Sequence, residues 1–391
     1  MKKGFYLGAA LAVTLFSCNK DDNGYENNAN QQKIRYSDLT NTTNYLTTFK
    51  GADNNSAVDF SGQASRIAML KELDAYMKTG VTTTISGQKM KDMFENKNNA
   101  FAAADLNNAG KDIISKTAQS FPVTDGDAEK TQFKTWMDAL AATSAANGQS
   151  AAAGSAGLLD GKYLVDAKGF EYGQFIQKGL MGALMMDQIC NIYLGSEKQN
   201  ADNKAIVTGK NYTQLEHHWD EAYGYLTQNE VYPKADPAAA GKYLETYLGS
   251  YVRQVTTAEG GVNGSDIFRA FLVGRAAVVN NDNTTRTNQI AYIRTNIEKS
   301  IAVVAVSYLN KTKTSTTNGA KFHSLSEGTG FVYALRYGYS AKINAAQSNQ
   351  LLSQLMGKTN GFWDLTNADI DAVRDVIAGA FGINKEVVVN H

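Results

Sequence analysis

The sequence predicts an all-α protein built from helical bundles. Three observations predict it. Only three prolines, Pro122, Pro233 and Pro237, interrupt 391 residues, alanine is abundant, and apolar residues return at helical intervals over most of the chain. Runs that alternate between apolar and polar residues are rare. Ala302–Tyr308 and Val387–Val389 are the two ambiguous segments.

The first element is a lipoprotein signal. Lys2 and Lys3 precede an apolar run from Gly4 to Phe16, followed by Leu15-Phe16-Ser17-Cys18, which reads as n-region, h-region and cleavage site. A membrane-spanning helix needs about 20 apolar residues, so the run reads as a segment that is removed. Ser17 before Cys18, with Leu15 upstream, resembles the lipobox cut by signal peptidase II. Residues 1–17 are therefore expected to be signal peptide, with Cys18 carrying lipid that tethers the chain to an outer membrane. Residues 18–50 are expected to form the lipidated start and a flexible stalk, because Asn19–Lys33 has almost no apolar side chain to offset its ordering entropy. Lys20-Asp21-Asp22 resembles the acidic export signal of surface-exposed Bacteroidetes lipoproteins.

Helices are expected at Ala64–Met77, Thr131–Ala146, Phe170–Leu194, Tyr212–Thr227, Ala238–Thr256, Asp266–Val279, Arg286–Leu309, Lys321–Tyr339, Ala345–Met356 and Asn367–Phe381. Ile67, Met69, Leu70, Leu73, Tyr76 and Met77 mark the buried face of the first. Phe133, Trp136, Met137, Leu140 and Ala141 mark that of the second. Connectors fall at Ala142–Gly157, Gly195–Lys210 and Lys311–Gly319, where small polar residues gather. Residues 51–235 and 236–391 are assigned to a first and a second bundle.

Composition narrows function. Lys plus Arg and Asp plus Glu both number 38, so no net field favours nucleic acid. Cys190 is the only cysteine besides Cys18; it reads as a small buried hydrophobe, and no intrachain disulfide is expected. There is no Gly-x-Ser-x-Gly elbow and no Walker loop. Gly260–Ser265 reads as a turn before a helix.

Two segments carry the chemistry. Glu216-His217-His218-Trp219-Asp220-Glu221-Ala222-Tyr223-Gly224-Tyr225 and His323-Ser324-Leu325-Ser326-Glu327-Gly328-Thr329-Gly330-Phe331 share His-x-x-x-Glu-x-x-Gly-aromatic. Each follows an apolar helix ending in Tyr-Leu, at Tyr193-Leu194 and Tyr308-Leu309, which reads as an internal repeat. Residues three or four apart on a helix share a face, so Glu221 can meet His217 or His218, and Glu327 can meet His323. Such pairs can ligate zinc, iron or copper, or they can hydrogen-bond each other and do nothing more. His217, His218, Asp220, Glu221, His323 and Glu327 are the candidate ligand-binding residues, with His218 and Glu221 the candidate metal ligands. Gly224 and Gly330, each three residues beyond the glutamate, would let a second helix approach closely. Trp219 reads as core.

At these residues the chain resembles imelysin-like proteins, through His218-Trp219-Asp220-Glu221, and more closely an uncharacterised family of Bacteroidetes lipoproteins. Imelysin-like proteins place Gly two residues before the motif histidine, where this chain has Glu216. The resemblance implies two bundles related by a pseudo-twofold, a motif near their junction, and a part in iron or other metal acquisition. It carries over His218 and Glu221 only. The imelysin name also implies a peptidase, yet neither His-Glu-x-x-His nor His-x-x-Glu-His occurs. A noncatalytic surface protein binding a peptide, glycan or envelope partner protein is the other expectation.

Overall fold

A computed structural model describes residues 33–255 and 262–389. Helices dominate it: α1 (Ser61–Thr79), α2 (Gly87–Glu95), α3 (Val123–Ser144), α4 (Tyr172–Leu180), α5 (Gln214–Leu226), α6 (Tyr247–Gln254), α7 (Gly264–Val279), α8 (Asn283–Thr314), α9 (Asn318–Ala334), α10 (Ala345–Met356) and α11 (Asn367–Phe381). The α4 helix continues in wider π-helical turns over Met181–Met186 and Gln188–Tyr193. A small antiparallel hairpin, β1 (Gly157–Leu159) and β2 (Tyr163–Val165), pairs Leu158 with Leu164. The all-α expectation holds.

Local chemistry explains the helix ends. Thr213 caps α5 in a box with Glu216, each side chain bonding the other's backbone N–H. Asn344 with Gln347 and Thr366 with Asp369 start α10 and α11 in the same way, which satisfies backbone donors that would otherwise lack partners. The ambiguous Ala302–Tyr308 lies inside α8. Its β-branched residues are tolerated there because Ala302–Val306 are buried on every side. Val387 and Val389 also pack inward, Val389 N–H donating to Ser307 Oγ at 2.8 Å.

Three expectations need correction. The helix expected at Ala238–Thr256 is confined to Tyr247–Gln254 among the described residues. Pro237 and Gly241, the latter at φ +73°, bound an alanine run too short to nucleate a helix; instead Asp236 N–H bonds Lys242 O and Leu244 N–H bonds Lys234 O. The connector at Ala142–Gly157 ends in β1, so a hairpin was missed there. Helix α2 was missed as well, although Ser86 caps it and Met90, Met93 and Phe94 are its buried stripe.

The expected stalk also changes character. Cys18 and the segment to residue 32 lie outside the described residues, but from residue 34 the chain is fastened down. Ile34 and Asn280 exchange two hydrogen bonds, at 2.9 and 2.8 Å. Tyr45 is fully buried, stacked on Tyr223 with ring centroids 3.8 Å apart. Among the described residues one hydrophobic cluster holds side chains from Leu39 to Val389. Helix α9 packs extensively on α4, and α5 packs on α7, so helices assigned on either side of residues 235 and 236 share one interior.

Candidate functional site: two glutamates at helix crossings

On α5, Glu221 gathers both imidazoles and a second pair of donors. His218 Nδ1 lies 3.1 Å from Glu221 Oε2, and His217 Nε2 lies 3.8 Å from the same oxygen. The Gln214 amide is 3.2 Å from His218 Nε2; with that amide donating, Nδ1 carries the proton toward Glu221. The other oxygen, Oε1, accepts from Tyr193 OH at 3.0 Å and Gln63 Nε2 at 3.1 Å. Burial pushes the Glu221 carboxyl up, but the His218 bond, the His217 charge, Gln63 and Tyr193 outweigh it and hold it below its ordinary value. His217 stacks on Tyr212 at 4.7 Å.

On α9, Glu327 is built to the same plan. Its Oε2 faces His323 Nε2 at 3.6 Å. Its Oε1 takes an ion pair from Lys178 Nζ at 3.0 Å and a hydrogen bond from Tyr251 OH at 3.4 Å. Tyr308 also bonds Glu327 and lies 3.2 Å from Tyr251, hydroxyl to hydroxyl. Burial raises the Glu327 carboxyl, while Lys178, His323 and the Tyr308 bond bring it below the usual range. His323 differs from its counterpart because its Nδ1 bonds Glu171 Oε2 at 2.6 Å and its ring stacks on Tyr163. Desolvation lowers its pKa, and Glu171 with Glu327 more than reverse this.

The two glycines explain why the plans match. A Cβ on Gly224 would lie 2.5 Å from Phe60 Cβ and 3.1 Å from Gln63 Cβ; one on Gly330 would lie 2.7 Å from Lys178 Cβ and 2.9 Å from Gln174 O. Each glycine therefore admits a crossing helix, α1 at Gly224 and α4 at Gly330, and the residue brought against it, Gln63 or Lys178, reaches Oε1 of the glutamate one turn back. The Tyr-Leu of each repeat supplies the tyrosine. Gln63, Lys178, Tyr251 and Glu171 were missed by sequence reasoning, because nothing local marks residues 76 to 158 positions away as partners.

Asp220 stands apart from this group. One position from Glu221 on a helix is a turn of about 100°, and Asp220 faces inward, where Arg275 Nε meets its Oδ1 at 2.9 Å and Arg275 Nη1 meets Glu216 Oε1 at 3.0 Å. Tyr45 OH donates to the same Oδ1 at 2.8 Å. All three charged side chains are fully buried. Burial pushes the Asp220 carboxyl up to about 7 against the pull of Arg275, as one guanidinium shared by two acids leaves surplus negative charge. The expected ligand role for Asp220 is thus replaced by a core ion pair. Trp219 is core as expected, its Nε1 donating to Phe271 O at 3.0 Å. Cys190 is fully buried, which raises its thiol pKa.

Among the described residues Glu221 and Glu327 bond separate sets of side chains, and no group of three or more His, Cys, Asp or Glu side chains is arranged to hold a metal ion. Beside the second glutamate lies a cleft of about 500 Å³ between α1, α4 and α6, lined by Asp74, Ala75, Gln177, Met181, Tyr247 and Tyr251 among others. Tyr251 connects its wall to Glu327 and Lys178. Tyr247 enters it at φ +50°, a strained conformation for a bulky residue. The turn carrying it is fixed from below: Gly249 packs on Leu226 O, where a Cβ would stand 2.2 Å away, and Gly249 O accepts from Tyr232 OH at 2.7 Å.

Neither curated proteins nor solved structures include a match to this chain. A family model matches residues 45–384, from the buried Tyr45 to the turn after α11. The chain belongs to the family described as domain of unknown function DUF4856.

Proposed function

We propose that this chain is a noncatalytic binding protein of the cell envelope, held to the outer membrane by lipid on Cys18, that takes its ligand in the cleft between α1, α4 and α6. The cleft carries this reading. Its volume of about 500 Å³ falls in the range of about 300–1,000 Å³ common to small-molecule sites, and its walls mix aromatic, amide and charged side chains. Both glutamate groups are hydrogen-bond networks that join the helices around it. No helix among the described residues is long and apolar enough to cross a membrane, and this reading assigns attachment to the lipid.

The test uses the soluble chain beginning after Cys18, beside Ala75→Trp, which fills the cleft from an exposed position on α1. Native mass spectrometry with oligopeptides, oligosaccharides and iron, zinc or copper is expected to give a one-to-one complex that Ala75→Trp loses. Binding that the variant retains would remove the cleft from the function.

A second reading, metal acquisition of the imelysin-like type, has one observation in its favour: two imidazoles face a single oxygen of Glu221. Stoichiometric metal uptake by the parent chain, lost in His218→Ala/Glu221→Ala, would place the function there instead.

A further inference from the structure

Two smaller cavities share lining residues with the cleft, and Asp74 in its wall bonds Gln177 of α4 at 2.6 Å. A cavity of about 90 Å³ adjoins one end and shares Lys71, Glu245 and Thr246 with it; another of about 60 Å³ adjoins the other end and shares Asp74 and Lys78. From Ile67 in the first cavity to Lys78 in the last, α1 spans about 17 Å at 1.5 Å per residue, the length of about five residues of extended chain.

The two ends have opposite chemistry. The small terminal cavity has Met77, Val81, Leu140 and Leu164 in its wall, with Asp74, Lys78 and Glu171 beside them, and at about 60 Å³ it exceeds several times the roughly 10–15 Å³ that one water needs. An aliphatic group is what such walls favour. At the opposite end stand Lys71 and Glu245, each with bonding capacity unused among the described residues. Lys71 is exposed and makes no ion pair among the described residues. Glu245 is only 8% exposed; its Oε1 accepts from Lys234 N–H at 2.7 Å and from Asn229 Nδ2 at 3.2 Å, while its buried Oε2 accepts nothing. A buried carboxylate oxygen without a donor is costly, and both residues line the two cavities that meet there.

Resting on the cleft reading above, we propose that the groove binds an extended peptide, with an aliphatic side chain seated among Met77, Val81, Leu140 and Leu164, and with a carboxylate on Lys71 beside an N–H on Glu245. A peptide carries an amide donor, a carboxylate and an aliphatic side chain on one extended backbone. An oligosaccharide would leave the aliphatic cavity unmatched.

Gly173 gives a clean test. It lies on α4 in the wall of the cavity, and a Cβ there would meet nothing within 4 Å, so Gly173→Leu adds an aliphatic side chain at that wall with no clash at its Cβ. The soluble chain is titrated by fluorescence polarisation with a labelled positional hexapeptide library, and a neutral hexasaccharide set is run in parallel. The expected result is a preference for Leu, Ile, Val or Met at one position that Gly173→Leu weakens at least tenfold. A preference for a carboxylate toward the other end should turn to a preference for Lys or Arg in Lys71→Glu. Peptide binding indifferent to both substitutions overturns the assignment. Oligosaccharide binding blocked by Ala75→Trp, with no peptide binding, overturns the peptide while keeping the cleft as the site; absence of any binding overturns both.

Discussion

Gln63 and Lys178 hold equivalent positions at two helix crossings: each packs its Cβ against a glycine, Gly224 or Gly330, and each delivers a nitrogen to Oε1 of the glutamate three residues before that glycine, at 3.1 and 3.0 Å. The internal repeat is therefore one of tertiary chemistry as well as of letters. The plans differ in charge, since Gln63 is neutral where Lys178 is cationic.

The crossings should be intolerant of a single methyl group. Gly330→Ala drives a Cβ against the Lys178 stem and the Gln174 carbonyl, and overpacking of this kind costs about 1–3 kcal/mol. Urea unfolding of Gly330→Ala and Gly224→Ala should show losses in that range, larger for Gly330 because one of its neighbours is backbone. Unchanged midpoints in both would mean the helices can separate freely there.

Replacing Lys178 by Met leaves Glu327 buried without its cation. Breaking one partner of a buried pair costs about 3–5 kcal/mol, and adding Glu327→Gln in the same chain should recover much of it. A double variant no more stable than Lys178→Met would show that the lysine acts through packing alone.

The Arg275 group should respond unequally. Arg275→Met strands two buried acids and is expected to cost about 3–5 kcal/mol. Asp220→Asn should cost less, as its carboxyl is already pushed up to about 7 and an amide still accepts from Tyr45. Equal losses in thermal unfolding would contradict this ranking.

Stability should depend on pH through His323. Its pKa is raised in the folded chain, so its contribution is complete below the ordinary histidine value of about 6.5 and fades as pH rises through the folded value. Glu171 and Glu327 face the ring, opposed by the Lys178 charge, and Tyr163 stacks on it. The parent chain should therefore lose more stability between about pH 6 and pH 8 than His323→Gln does, with the difference measured by denaturant titration at each pH. At the acid end, Glu221 and Glu327 have lowered values, so their contribution is present above about pH 4.5 and lost below it. Parallel curves for parent and variant across pH 6 to 8 would remove His323 from this account.

Sequence alone determined most of the long helices. Their apolar faces, caps and scarcity of prolines are local properties, so α10 and α11 end where periodicity places them, and the His–Glu spacing already put Glu221 beside His218. The glycines three residues beyond each glutamate also announced close crossings, because absence of a side chain is meaningful without knowing the partner. Tertiary structure decided who crosses. Gln63 lies 158 residues from Glu221 and Lys178 lies 149 from Glu327, and no periodicity within one helix reports a neighbour contributed by another. For the same reason Asp220 looked like part of the histidine cluster but pairs with Arg275: adjacent residues on a helix point about 100° apart, and only packing fixes which direction is the core. The groove was equally illegible, since its walls come from α1, α4 and α6, which are far apart in sequence.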